Sequence, residues 1–150
     1  AAAGTVFDPY HNELFTAVKG GGARLNGLPI HVSAIDDLGI SMLATGFPYD
    51  KAISSDNNLR QFTAIVPMIQ GVRRMGSAAM DLCFTACGRM EGYWEPKLKP
   101  WDMAAGALIV REAGGTVTAY EGRRFDPETP EIVASNGKIH QRMLELLSGA

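Results

Sequence analysis

Residues 91–115, EGYWEPKLKPWDMAAGALIVREAGG, constrain the fold of this chain more than any other stretch. Tyr93 and Trp94 form a short aromatic strand that leads to Glu95 and a proline-containing turn. Trp101 and Asp102 then open a helix of small and apolar residues that stops at Gly114-Gly115. An acid at a helix start is favoured by the free N–H groups and the dipole of the first turn. Capping alone accounts for an isolated Asp102. Its neighbourhood asks for more: two Trp, Glu95 upstream and a run of Ala and Gly that permits close packing suggest a shaped site.

Around this stretch the chain reads as strands followed by alternating strands and helices. GTVFD (4–8) and ELFTAV (13–18) are β-rich and separated by the turn signal Asp8-Pro9-Tyr10-His11-Asn12. Gly20-Gly21-Gly22 resembles a phosphate loop only superficially, because no Lys-Ser/Thr and no helix follow it; a tight connection is expected. Asn26-Gly27 suits a type I′ turn between Ala23–Leu25 and Leu28–Val32, with His31 on the polar face. A buried strand is expected over Ile40–Gly46, then a helix capped by Ser55 or Asp56 carrying Leu59, Phe62, Ile65, Val66 and Ile69. Val72–Met75 reads as a strand, and Ser77 as the start of a helix ending at Gly88. Strands at Thr116–Tyr120 and Ile132–Ser135 precede a final helix with Ile139, Met143, Leu146 and Leu147 on one face. The fold class is α/β, mixed α+β layering behind an initial β-meander, with residues 1–150 as a single unit.

Composition narrows the function classes. At 46% hydrophobic and 20% charged, the 150 residues belong with globular and not disordered chains. A net charge of −2 without like-charge blocks argues against a nucleic-acid or membrane partner. Cys83 and Cys87, four apart on a helix, are awkward for a disulfide and have no partners for zinc; free thiols in a reducing cytoplasm are expected. The absence of an initial Met suggests an excised sequence.

Trp101-Asp102-Met103-Ala104-Ala105-Gly106, with Glu112-Ala113-Gly114-Gly115, resembles the C-terminal signature of the inositol monophosphatase family of Mg2+-dependent sugar phosphatases. Arg74-Met75-Gly76-Ser77-Ala78-Ala79 is similar to the family's second glycine turn, and Gly22-Ala23-Arg24-Leu25-Asn26-Gly27 to its hairpin. The family's first signature, an Asp-Pro-x-Asp-Gly-Thr loop, does not occur in these residues. The chain is therefore expected to be the C-terminal part of the layered αβαβα sugar-phosphatase fold, with the N-terminal metal-binding half absent.

The resemblance implies Mg2+ as cofactor, Asp102 as a metal ligand that also binds substrate, Glu95 as the acceptor of a substrate hydroxyl, and Gly76, Ser77 and Ala78 as a substrate-contacting turn. It implies hydrolysis of inositol monophosphate or a related small polyol phosphate by a cytoplasmic homodimer. Fructose 1,6-bisphosphate, histidinol phosphate and phosphoadenosine phosphates are the alternatives within the family. No complete catalytic set is expected in this chain, since one convincing metal ligand cannot build a multi-metal site. A non-catalytic half-module that packs on a partner half, exposing apolar surface, is the competing reading. Without the resemblance Glu95 reads as a solvated acid, while Asp81 and Glu91 read as surface charges. Arg73 and Arg74 read as structural or interface residues. Met42, Met75, Met80 and Met103 read as core filling, and His11, His31 and His140 form no triad.

Overall fold

Asn26 and Gly27 take positive φ, 50° and 82°, and close the expected hairpin. It belongs to an antiparallel meander of β1 (Ala3–Asp8), β2 (Glu13–Val18), β3 (Ala23–Leu25) and β4 (Leu28–Ile30). The computed structural model describes residues 1–149. Alternation along the meander turns Val6, Phe15, Ala17 and Ala23 inward. Phe7 and Leu14, cross-strand partners, stay partly exposed on the outer face together with Val18.

The second half is built from β5 (Met42–Thr45), α1 (Leu59–Ile65), β6 (Gly71–Arg73), α2 (Ala78–Ala86), β7 (Gly92–Pro96), α3 (Pro100–Glu112), β8 (Thr116–Thr118), β9 (Glu131–Ser135) and α4 (His140–Ser148). Its sheet has the order β6-β5-β7-β9-β8, with β5 parallel to β6 and β7, and β9 antiparallel to β7 and β8. Helices α2 and α3 fill the space between this sheet and the meander. Helices α1 and α4 cover the opposite face. The stacking is sheet, helices, sheet, helices, as the layered α/β reading requires.

Strand β7 lies at the centre and shows why. Tyr93 packs with Phe15, Leu82, Met103 and Ile109 on one side of the sheet. Trp94 packs with Leu43, Ile65, Val133 and Met143 on the other. Burying a large apolar side chain contributes about 1.5–3 kcal/mol, so a strand buried on both faces anchors both layers. The small residues of α3 serve the same packing: a Cβ at Gly106 would meet Leu82 Cβ at 2.7 Å.

Several local expectations are corrected. Leu38–Ile40 forms a 3-10 turn, its Gly39 amide capped by Asp37, so the buried strand starts at Met42. Asn58, at φ 67°, precedes α1 in place of Ser55 or Asp56, because its side chain turns inward. Helix α1 gives way to a 3-10 turn at Val66–Met68, and the strand after Gly115 ends at Thr118, after which Tyr120 enters a third 3-10 turn. His31 lies beyond the end of β4 and is exposed. Met75 is 52% exposed and not core, because β6 has already ended at Arg73.

Two charge assignments are corrected more sharply. Asp81 is 1% exposed, since α2 is covered by both α3 and the sheet. Glu91 is also buried: its Oε2 accepts from the Met42 amide at 2.7 Å, while its own N–H donates to Met42 O at 2.9 Å. That reciprocal pair ties the approach to β7 onto β5. The glycine run 20–22 is a tight connection whose amides hold a carboxylate: Gly20 and Gly22 donate to Glu112 at 2.9 and 3.0 Å.

Candidate active site

The three parallel strands end together, at Thr45-Gly46, Arg73-Arg74 and Glu95-Pro96. Ligands of α/β sheets bind in the crevice beyond such carboxyl ends. Here the crevice is a cleft of about 490 Å³ whose wall includes Gly76, Ser77, Ala78, Glu95 and Asp102, along with Gly46, Arg74 and Asp81. The five residues singled out from the sequence thus come from three separate segments and line one space.

Each is placed by local structure. Gly76, at φ 95°, makes the turn from β6 towards α2, a backbone conformation that disfavours side chains. Ser77 caps α2, its hydroxyl accepting from the Met80 amide at 3.5 Å. The Ala78 and Ala79 amides that open α2 have no intrahelical acceptor and are available to a ligand. Asp102 sits in the first turn of α3, where its Oδ2 accepts from the Lys99 amide at 2.9 Å. It is therefore a capping residue and a wall of the cleft at once. Trp101 beside it is 77% exposed and also lines the cleft.

Glu95 is half-buried and not solvated. The Tyr93 hydroxyl donates to its Oε2. Burial raises its pKa, and the Asp102 charge adds to the rise; the Tyr93 bond and Arg74 oppose it. Its carboxylate lies against Gly46, where an added Cβ would stand 2.2 Å from either oxygen. A side chain at position 46 would displace the Glu95 carboxylate. Asp81, deeper in the wall, has its pKa pushed up to about 7, chiefly by burial and further by the Glu95 charge, with Arg74 opposing. At the mouth, Lys97 Nζ is tied at 2.8 Å to both Asp50 Oδ2 and Ser54 Oγ.

Behind the cleft lies a polar knot that sequence reasoning missed. Asn58 Nδ2 donates to Thr45 Oγ1 at 2.9 Å and to Gly46 O at 2.6 Å, and its Oδ1 accepts from Trp94 Nε1 at 2.8 Å. Thr45 Oγ1 donates to Trp94 O at 2.7 Å. These bonds fix the end of β5 against β7 and so hold Gly46 beneath Glu95. An Asn between a polar loop and a helix carries no sequence signal for such a role.

The other titratable groups lie elsewhere. His140 bridges Thr118 and Ser135 away from the cleft, and burial lowers its pKa to about 4. Cys83 and Cys87 are both free, with Cys83 buried. Asp102 offers the hard oxygen that Mg2+ prefers. Among the described residues, however, no three His, Cys, Asp or Glu converge to hold a metal ion. The donors of this chain fit one corner of a metal site and do not make one by themselves. No helix among the described residues is long and apolar enough to cross a membrane.

A family model described as the inositol monophosphatase family matches residues 1–150. An inositol-1-monophosphatase of Synechocystis sp. is 51% identical over 145 residues, covering 97% of this chain and 50% of that protein. A Vibrio cholerae protein named Nus factor SuhB is 47% identical, with coverage of 93% and 52%. The solved inositol monophosphatase of Anabaena (Nostoc) sp. PCC 7120 superposes with a TM-score of 0.96 at 45% identity, covering 99% of this chain and 61% of that one. The chain thus spans about half the length of the curated relatives it matches. Matched from end to end, it belongs to the inositol monophosphatase family.

Proposed function

We propose that this chain is the C-terminal portion of a Mg2+-dependent phosphomonoesterase that hydrolyses inositol monophosphate or a related small polyol phosphate. The observation that carries the proposal is the convergence of Glu95, Asp102 and the Gly76-Ser77-Ala78 turn on one cleft beside the ends of the parallel strands. Bound Mg2+ would supply Lewis-acid chemistry at the phosphate; Asp102 is the ligand this chain offers. Glu95, held by Tyr93 and backed by Gly46, is the acceptor for a polyol hydroxyl. The turn at Ser77 presents backbone amides to the ring or its phosphate. The metal cradle and the group that activates water belong to the remainder of the protein in this reading. Homodimeric assembly in a reducing cytoplasm is part of the same proposal.

Phosphate release from inositol 1-phosphate, with and without Mg2+, tests it on two proteins. One is this chain alone, and the other is this chain joined to the portion of the Synechocystis relative that it does not match. The expected result is Mg2+-dependent turnover in the joined protein and little in the chain alone. A joined, folded protein that stays silent on this substrate would overturn the proposal and favour a non-catalytic packing module.

A further inference from the structure

One side chain in the cleft is not explained by packing. Asp81 is 1% exposed, lines the cleft on the first turn of α2, and its Oδ1 is fully buried without a hydrogen-bond partner. A buried carboxyl oxygen without a partner is costly, and native interiors satisfy nearly all such atoms. An apolar residue would fill the same place between α2, α3 and the sheet at no such cost.

We propose that Asp81 is a specificity-determining residue, a second hydroxyl-binding carboxyl that works beside Glu95 and selects the uncharged polyol side of the substrate. The inference rests on the polyol reading of the cleft. A carboxylate accepts from a hydroxyl, and a protonated carboxyl donates to one, so a polyol hydroxyl suits Asp81 in either state. Its burial and raised pKa agree with a group that exchanges between these states near neutrality. The charged neighbours that face it are Glu95 and Arg74. A second phosphate placed here would meet two carboxyls against one guanidinium, which disfavours bisphosphates. A metal ion is not the fitting occupant, because Asp81, Glu95 and Asp102 are not grouped closely enough to hold one, and no other three His, Cys, Asp or Glu among the described residues are.

The test is binding of myo-inositol to the joined protein, followed by amide chemical shifts, with cyclohexanol as the ring carrying a single hydroxyl. Wild type, Asp81→Asn and Glu95→Gln are compared at pH 8, and Tm is recorded for each. The expected result is that myo-inositol perturbs Gly46, Gly76 and Ser77 while cyclohexanol does not. Asp81→Asn weakens myo-inositol by about threefold or more, the scale of one hydrogen bond, with Tm equal to or above that of wild type. Unchanged affinity in Asp81→Asn, with Glu95→Gln impaired, overturns this inference alone and leaves the polyol reading intact. A loss of affinity accompanied by a lower Tm overturns it too, making Asp81 a structural residue. If the wild-type joined protein shows no response to myo-inositol, the polyol reading and the inference both fall.

Discussion

At one end of α3 the carboxylate of Glu112 is gripped by the amides of Gly20 and Gly22; at the other, Asp102 has a single bond to the Lys99 amide and faces the cleft. The same contrast separates Glu91 from Asp81. Both are buried, but Glu91 accepts from the Met42 amide and Asp81 Oδ1 has no partner. Where backbone amides of a distant segment reach a carboxylate, as at Glu91 and Glu112, it is a staple that holds chain segments together. Where they do not, the acid stands in the cleft wall with capacity left for a ligand. Where the protein donors come from, more than burial or residue type, divides the structural acids from the site acids: Glu91 and Glu112 take amides from remote segments, Asp102 and Glu95 take one donor from their own segment.

The largest test of this division concerns Asp81. Its folded pKa of about 7 lies above the ordinary value near 4. The folded state therefore holds more protons than the unfolded one between those values, and stability falls as pH rises through that window. The full separation corresponds to a loss on the order of 3–4 kcal/mol. Urea denaturation at pH 4.5 and pH 8, both values being chosen as about the edges of that window, should show this loss in wild type and not in Asp81→Asn. Equal pH dependence in the two proteins would remove Asp81 from the unsatisfied class.

Glu91→Ala should act in the opposite direction at fixed pH. It strips the Met42 amide of its buried acceptor, at a cost of about 2–3 kcal/mol read from the urea midpoint. An unchanged midpoint would mean that amide satisfaction is not what makes Glu91 structural.

Gly46→Ala separates site from scaffold. The atoms nearest the added methyl are those at the carboxyl end of the Glu95 side chain, which can rotate aside, so stability should change by less than about 1 kcal/mol. Turnover of inositol 1-phosphate by the joined protein should fall at least about tenfold as Glu95 is displaced. The smallest effect belongs to Glu112→Gln. The amides of Gly20 and Gly22 lower the Glu112 pKa, so its contribution is present above the ordinary carboxylate value and is lost as pH falls through the depressed one. A slight drop in Tm at neutral pH, vanishing in acid, is expected by thermal melts.

The legible and illegible parts of the chain follow the same physics. The Asn26-Gly27 hairpin, the Ser77 cap and the Trp94-to-Gly114 strand–turn–helix are local, and each announces itself in adjacent residues. The burial of Glu91 depends on Met42, and that of Glu95 on Gly46, partners forty-nine positions away in sequence in both cases. Asp81 was hidden for a different reason. Helix α2 is covered on more than one side, so its periodicity marks no solvent face on which a charge would be expected. Asn58 escaped notice because its left-handed backbone directs it inward, a feature without a residue pattern.

The most direct test of the account compares Asp102→Asn with Glu112→Gln, the two ends of α3, in the joined protein. Mg2+-dependent kcat/KM on inositol 1-phosphate and Tm are measured for both. The account predicts that Asp102→Asn loses turnover by at least about a hundredfold with a small change in Tm, while Glu112→Gln retains turnover. Comparable activity in the two variants would contradict the assignment of the open end of α3 to the chemistry.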